Sequence, residues 1–143
     1  MNEEEHYRRL ERMYASAPCN QVSGAAISIS KGTAELELEV RRDFFHGAGS
    51  VHGSVYFKLM DDAAFFACSS LVRNLHITTQ FNVHFTRAVS KGFLRCIGEV
   101  VHRSRNFLVA ESRILDQKGR QVARGSGTFQ KTYVKLSPEV GYA

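Results

Sequence analysis

The residues best suited to chemistry lie in one apolar stretch, Val55 to Leu71, where Asp61 and Asp62 sit among Phe57, Leu59, Met60, Ala63, Ala64, Phe65 and Phe66. An ionised carboxylate is costly to bury without partners, so an acid in such surroundings is a candidate general base or nucleophile. Adjacent helical residues point about 100° apart, so the two acids cannot both face one pocket. Lys58 stands at i−3 from Asp61 and i−4 from Asp62, and it can pair well with only one of them. A solvated pair, or one held by Lys58, is the plainer alternative, and residue type alone leaves both open. Just ahead runs His46-Gly47-Ala48-Gly49-Ser50-Val51-His52-Gly53. Its glycines let backbone approach a ligand closely, and a helix N-terminus offers unpaired N–H groups at a positive dipole end. That suits a phosphate, or a carbonyl oxygen acquiring negative charge. The glycine spacing is not that of a dinucleotide fold, and no Gly-Lys-Ser/Thr follows to make a P-loop. His46 and His52 match no metal-ligand template, so no metal is expected.

These residues need a frame. Glu3 to Tyr14 reads as a short charged helix, with Tyr7, Leu10, Met13 and Tyr14 on one stripe. Ser16 to Gly24, containing Pro18, reads as a connecting loop. Ala34, Leu36, Leu38 and Val40 alternate with Glu35, Glu37 and Glu39, the pattern of a strand with one wet face. Ser30-Lys31-Gly32 before it suggests a hairpin turn, with Ala25 to Ile29 as the partner strand. Val55 to Leu71 is too continuously apolar for a surface helix and too long for a strand, so it is expected to be a helix buried nearly all round. Four strand-like runs follow, Ile77–Arg87, Phe93–His102, Phe107–Asp116 and Gln121–Tyr133, separated by short turn-like segments. Such connections predict that successive strands are antiparallel neighbours. The expected fold is α+β, one buried helix on an antiparallel sheet of about six strands. A single domain spanning 1–143 is expected, with a core at about 25–132, an N-terminal helix and loop at 1–24 and a C-terminal tail at 133–143.

Composition narrows the class. Hydrophobic residues make up 43% and charged residues 23% of the 143-residue chain, which excludes whole-chain disorder. The apolar stretch is interrupted by Lys58, Asp61 and Asp62, so no transmembrane span is expected. The start, Met1-Asn2-Glu3-Glu4-Glu5, puts acid where a basic signal-peptide region belongs. Cys19, Cys68 and Cys96 form no CxxC pair, and reduced thiols in a cytoplasmic protein are the expected state. Residues 86–135 carry 11 Lys and Arg against three acids, whereas residues 1–50 carry six against eight. A basic C-terminal half suggests a phosphate-bearing partner, although solvated strand faces explain the charge equally simply.

His52-Gly53-Ser54, followed by Leu59-Met60-Asp61 within an apolar helix, resembles the His-Gly-Gly…Asp motif of hotdog-fold acyl-CoA thioesterases of the phenylacetate-degradation type. The resemblance runs from about Ala25 to Thr132 and takes in Ile77-Thr78-Thr79-Gln80-Phe81-Asn82-Val83, the Lys91-Gly92 turn and the closing Arg124-Gly125-Ser126-Gly127-Thr128-Phe129 strand. It implies a long central helix wrapped by an antiparallel sheet. It implies Asp61 as the catalytic carboxylate, base or nucleophile, and Gly53 as the backbone oxyanion donor. Thr78 falls where members often have a Ser or Thr that helps position water, although a β-branched residue in a strand needs no such role. His46 stands where many members carry Asn beside the thioester carbonyl, and Ser54 replaces the second Gly of the motif. His52 is expected to be structural or ligand-shaping, Asp62 a partner of Lys58 or an interface residue, and Cys68 a buried small side chain.

The expected activity is hydrolysis of an acyl-CoA thioester to a carboxylic acid and free coenzyme A, with no cofactor beyond the substrate. His52 and Ser54 are expected to shape the substrate site, and Arg87, Arg103, Arg105 and Arg124 to contact its phosphates. The resemblance also implies a homodimer, with dimers pairing into tetramers in many members, and no membrane or nucleic-acid partner. A non-catalytic acyl-CoA-binding module and a hotdog hydratase or dehydratase are the rivals. A nucleic-acid binder is weaker, because no aromatic-basic motif or recognition helix supports it.

Overall fold

The computed structural model describes residues 1–143. The chain forms α1 (Glu3–Ser16), α2 (Pro18–Ser23), β1 (Ala26–Ser30), β2 (Thr33–Glu39), α3 (Gly53–Ser69), β3 (Asn74–Phe85), β4 (Phe93–Arg103), β5 (Phe107–Leu115) and β6 (Gln121–Lys135). Short 3-10 turns occupy Arg42–Phe44 and Pro138–Val140. The six strands make one antiparallel sheet in the order β1-β2-β4-β5-β6-β3. It curls around α3, which buries Leu59, Met60, Ala63, Ala64, Phe66, Ala67 and Cys68. In β2, Ala34, Leu36 and Leu38 face this core while Glu35, Glu37 and Glu39 face water, as the alternation predicts.

Two expectations need correction. The segment read as a loop from Ser16 to Gly24 contains α2, with Pro18 in its first turn and Gly24 at φ 72° closing it. Proline breaks a helix interior but fits a helix start, where its missing N–H has no intrahelical acceptor to lose. Strands β3 and β4 are not neighbours, since β3 lies at the sheet edge beside β6 while β4 lies between β2 and β5. Residues 86–92 cross the end of the sheet over three strand spacings, about 14 Å, a distance a short extended segment can span. Val89 anchors that crossing through its carbonyl, which accepts from the Val51 N–H at 2.9 Å.

The helix is seated closely. Ser112 Oγ donates to the Met60 carbonyl at 2.7 Å, and Gly98 on β4 lies against the Ala63 and Ala64 backbone, where a Cβ would collide with the helix main chain. Gly98→Ala should therefore destabilise the protein by about 1–3 kcal/mol, the usual cost of overpacking a rigid contact, read as a lower Tm.

The sheet edges differ. At β1, the Ile29 N–H donates to Glu11 Oε2 at 2.8 Å and its carbonyl accepts from Arg8 Nη2 at 3.2 Å, so α1 covers that edge. No element covers the outer edge of β3. The C-terminal tail returns to α1, where buried His6 bonds Tyr142 Oη at 2.6 Å and the Ser69 carbonyl at 3.0 Å.

Candidate active site

The start of α3 is built by the residues before it. His52 is the N-cap, an unusual choice, and its Nδ1 accepts from the Ser54 N–H at 3.0 Å and lies 2.8 Å from Ser54 Oγ. The ring nitrogen thus does what an Asp or Asn oxygen does at most helix starts. The Val55 N–H is taken by the His52 carbonyl at 3.0 Å. Gly53 N–H, at the first helical position, has no acceptor within the chain. It is the open donor of the helix start, and the Phe85 ring lies 3.2 Å from where a Gly53 Cβ would stand.

His46, Ser50, Gly53, Tyr56, Phe85 and Arg87 line a cleft of about 450 Å³ at this end. His46 is committed to its own turn, accepting from the Ala48 N–H at Nδ1 and meeting Ser50 Oγ at Nε2, each at 3.0 Å. Both ring nitrogens are engaged, so the ring is held on the cleft wall. Gly49, at φ 84°, supplies the left-handed residue that this turn needs.

Asp61 lies eight residues further along α3 than Gly53. It is half-buried, and its Oδ1 accepts from Thr78 Oγ1 of β3 at 2.7 Å. Burial raises its pKa above the usual carboxylate range, opposed by the Thr78 hydrogen bond and by the charge of Lys58. Asp62 points elsewhere. Lys58 Nζ donates to Asp62 Oδ2 at 2.7 Å and to Asn20 Oδ1 of α2 at 2.7 Å. Burial raises the Asp62 pKa too, with Lys58 working against it. The lysine thus joins one acid to the N-terminal segment and leaves the other facing β3. Cys68 is buried and its thiol is pushed up to about 12, which removes it as a nucleophile.

The chain brings together Asp61 with Thr78, His52 with Ser54, and His46 with Gly53 and Arg87. It does not bring the first pair to the last group, because eight helical residues span about 12 Å along an axis. The four candidate phosphate contacts also separate. Arg103 and Arg105 line a second cleft beyond the C-terminal end of α3, Arg87 lies by Gly53, and Arg124 sits on the outer sheet face 3.6 Å from Glu111. Reasoning from sequence missed Tyr56 and Phe85 as cleft walls. Tyr56 had a signal, standing one helical turn from Gly53, whereas Phe85 had none. It also missed Asn20, which lies far from Lys58 in the chain.

The model of the thioesterase superfamily matches residues 48–123, a stretch that contains the helix start, Asp61 and Thr78. The chain belongs to the thioesterase superfamily. A Mycobacterium tuberculosis protein named as a candidate esterase is 30% identical over 103 residues, 68% of this chain and 73% of that protein. The Escherichia coli PaaI protein, from the phenylacetic acid degradation operon, superposes with a TM-score of 0.88 at 23% identity, covering 94% of this chain and 99% of that one. That likeness establishes the hotdog fold. A Streptococcus pneumoniae hypothetical thioesterase solved with coenzyme A superposes with a TM-score of 0.72 at 25% identity, covering 78% of this chain and 88% of that one. Membership of the superfamily supports thioester hydrolysis as the general activity of this chain.

Proposed function

We propose that this thioesterase-superfamily protein is a cytosolic acyl-CoA hydrolase that works as a homodimer and needs no cofactor. The observation that carries the reading is Asp61, a half-buried carboxylate with a raised pKa, held by Thr78 on the helix whose first N–H stays open. A base of raised pKa keeps a proton more readily at neutral pH than an ordinary carboxylate, which suits both accepting and returning one. Asp61 takes a proton from a water molecule beside Thr78, and the water oxygen bonds to the thioester carbon. The carbonyl oxygen gains negative charge and accepts from a Gly53 N–H. Collapse of this intermediate breaks the C–S bond, and the departing thiolate takes the proton from Asp61. Direct attack by Asp61, giving an anhydride that water then cleaves, uses the same carboxylate. His46 lines the cleft around the carbonyl, and His52 and Ser54 act one step back, fixing the helix start that presents the Gly53 N–H.

The coenzyme A in the S. pneumoniae relative supports a CoA thioester as substrate. The three free cysteines agree with a reducing compartment, and no helix is long and apolar enough to cross a membrane. Of the arginines considered as phosphate contacts, Arg103 and Arg105 share one cleft and remain candidates together, whereas Arg87 lies by Gly53 and Arg124 is engaged by Glu111. The deciding assay sets the purified protein against short, long and aromatic acyl-CoAs. Release of free thiol from at least one supports the proposal, and none from any overturns it.

A salt series adds a second check. KM for an acyl-CoA should rise with ionic strength, because charges on the protein surface are screened over about 8–10 Å. The matching acyl-pantetheine, which lacks the nucleotide, should respond less. Equal responses would reduce the basic half to a solvated surface.

A further inference from the structure

Two serine–histidine pairs flank the open Gly53 N–H, and their hydrogens run in opposite directions. In the first, His52 Nδ1 accepts from the Ser54 N–H at 3.0 Å. That nitrogen therefore presents a lone pair, and the Ser54 hydroxyl, 2.8 Å away, donates to it as well. The Ser54 proton is already engaged. In the second pair, His46 Nδ1 accepts from the Ala48 N–H at 3.0 Å. An imidazole that accepts at one nitrogen is neutral and carries its hydrogen on the other, so Nε2–H donates to Ser50 Oγ at 3.0 Å. Ser50 thus receives a hydrogen bond and keeps its own proton free.

The main chain fixes this second pair too. The His46 N–H donates to the Ser50 carbonyl and the Gly49 N–H to the His46 carbonyl, each at 3.0 Å. Phe45 and Val51 then close the turn as a bridge. Half-buried Ser50 lies on the wall of the 450 Å³ cleft that Gly53 also lines. Two other hydroxyls belong to that cleft, and neither can serve a ligand. Thr86 Oγ1 donates to the Gln121 carbonyl at 3.2 Å, and Tyr56 Oη is buried out of reach. Ser50 holds the free hydroxyl proton.

We propose that the Ser50 hydroxyl is a second oxyanion donor beside the Gly53 N–H, with His46 as the positioning residue that aims it. This role rests on the hydrolase reading and adds a side-chain donor to its oxyanion site. An oxygen acquiring negative charge takes more than one hydrogen bond, and a lone backbone donor leaves part of that charge unmet. The bond from His46 polarises the Ser50 hydroxyl and strengthens its donation. The same placement of hydrogens excludes Ser50 as a nucleophile, because His46 Nε2 already carries a hydrogen and cannot take another from serine. His46 orients and does not act as a base.

Ser50→Ala should lower kcat at least about tenfold with KM for acyl-CoA little changed, because the bond strengthens only as the oxygen gains charge. Ser50→Thr keeps a hydroxyl and should retain most of the activity. His46→Ala should also lower kcat, yet add no further loss to Ser50→Ala, since it acts through that hydroxyl. Two independent structural defects would instead add. A second measurement reads the bond without turnover. It is the infrared carbonyl stretch of a bound, isotope-labelled ketone analogue of an acyl-CoA, with methylene in place of the thioester sulfur. The stretch should lie lower in the wild type and Ser50→Thr than in Ser50→Ala, and circular dichroism checks that each variant keeps the fold. A shift removed by Arg87→Gln but not by Ser50→Ala overturns the second donor in favour of Arg87. An acyl group trapped on Ser50, seen by mass spectrometry, overturns it in favour of a nucleophile. Hydrolysis with a stretch indifferent to Ser50 sinks the second donor alone, whereas a Ser50-dependent stretch without hydrolysis sinks only the hydrolase reading. Neither hydrolysis nor analogue binding would overturn both.

Discussion

Replacing Asp61 with Asn is expected to lower kcat by at least about a hundredfold, the lower range for loss of an acid–base group, while the fold survives. Asparagine has nearly the same shape and can still accept from Thr78 Oγ1, which lies 2.7 Å from Asp61 Oδ1, so the loss is chemical rather than structural. It corresponds to about 2.7 kcal/mol of transition-state stabilisation. Asp62→Asn should cost far less activity, because Lys58, itself anchored on Asn20, already engages that carboxylate. Comparable losses at both positions would mean that the substrate does not meet the Asp61 face of α3. The pH profile provides a check that mere folding defects would not reproduce. Burial raises the Asp61 pKa, so a base there should lose activity as pH falls through a value above the ordinary carboxylate range. Lys58 favours the ionised form of Asp61. Lys58→Met should therefore move that acid limb further up, with Lys58→Arg restoring it.

The elements that were readable from sequence are those whose pattern is local. The buried helix declared itself because a long apolar run with carboxylates has no place in a strand, and its observed span, Gly53–Ser69, differs from the reading only at the ends. The hairpin of β1 and β2 followed from a period of two and a Lys-Gly turn, with Gly32 at φ 71°. Strand order was not local. The 86–92 segment has turn residues and hairpin-like length, yet it crosses the sheet end, because β3 completes the far edge beside β6 rather than returning beside its successor. The i,i+4 spacing of Lys58 and Asp62 was legible, and the pair forms at 2.7 Å. The Asn20 contact that completes it depends on how α2 docks on α3, which no pattern in either segment encodes. Charge was legible as a sum over the C-terminal half. Its concentration around one cleft was not, since Arg73, Arg103, Arg105 and Lys131 are gathered by the start of β3, the β4–β5 turn and β6.

Mixing a chain that lacks the carboxylate with a chain that lacks the backbone donor should restore activity that neither has alone. Gly53 N–H and Asp61 belong to one helix but lie about 12 Å apart along it, and a side chain leaning toward the N-terminus recovers only part of that distance. A single thioester carbon needs its oxyanion donor and its attacking group both within about 3–3.5 Å. Two antiparallel helices related by a two-fold axis meet this need, placing the start of one beside the middle of the other. The chain has a surface suited to such pairing at the uncovered edge of β3, where Ile77 is 49% and Phe85 56% exposed, and where Phe57 of α3, 39% exposed, packs edge-on against Phe81 of the same strand. An open, apolar sheet edge invites a second strand, and a two-fold contact satisfies both copies at once. Gly53→Pro removes the donor while fitting the first position of a helix. Gly53→Ala is its control, adding the Cβ that crowds Phe85 while keeping the N–H. Asp61→Asn and Gly53→Pro homodimers should each be nearly inactive. A statistical mixture contains one half mixed dimers with one intact site of two, so activity should recover to about a quarter of the wild type. Full activity from a monomer in sedimentation, or no recovery despite demonstrated mixed dimers, would sink the shared site and require the carbonyl to lie wholly within one chain.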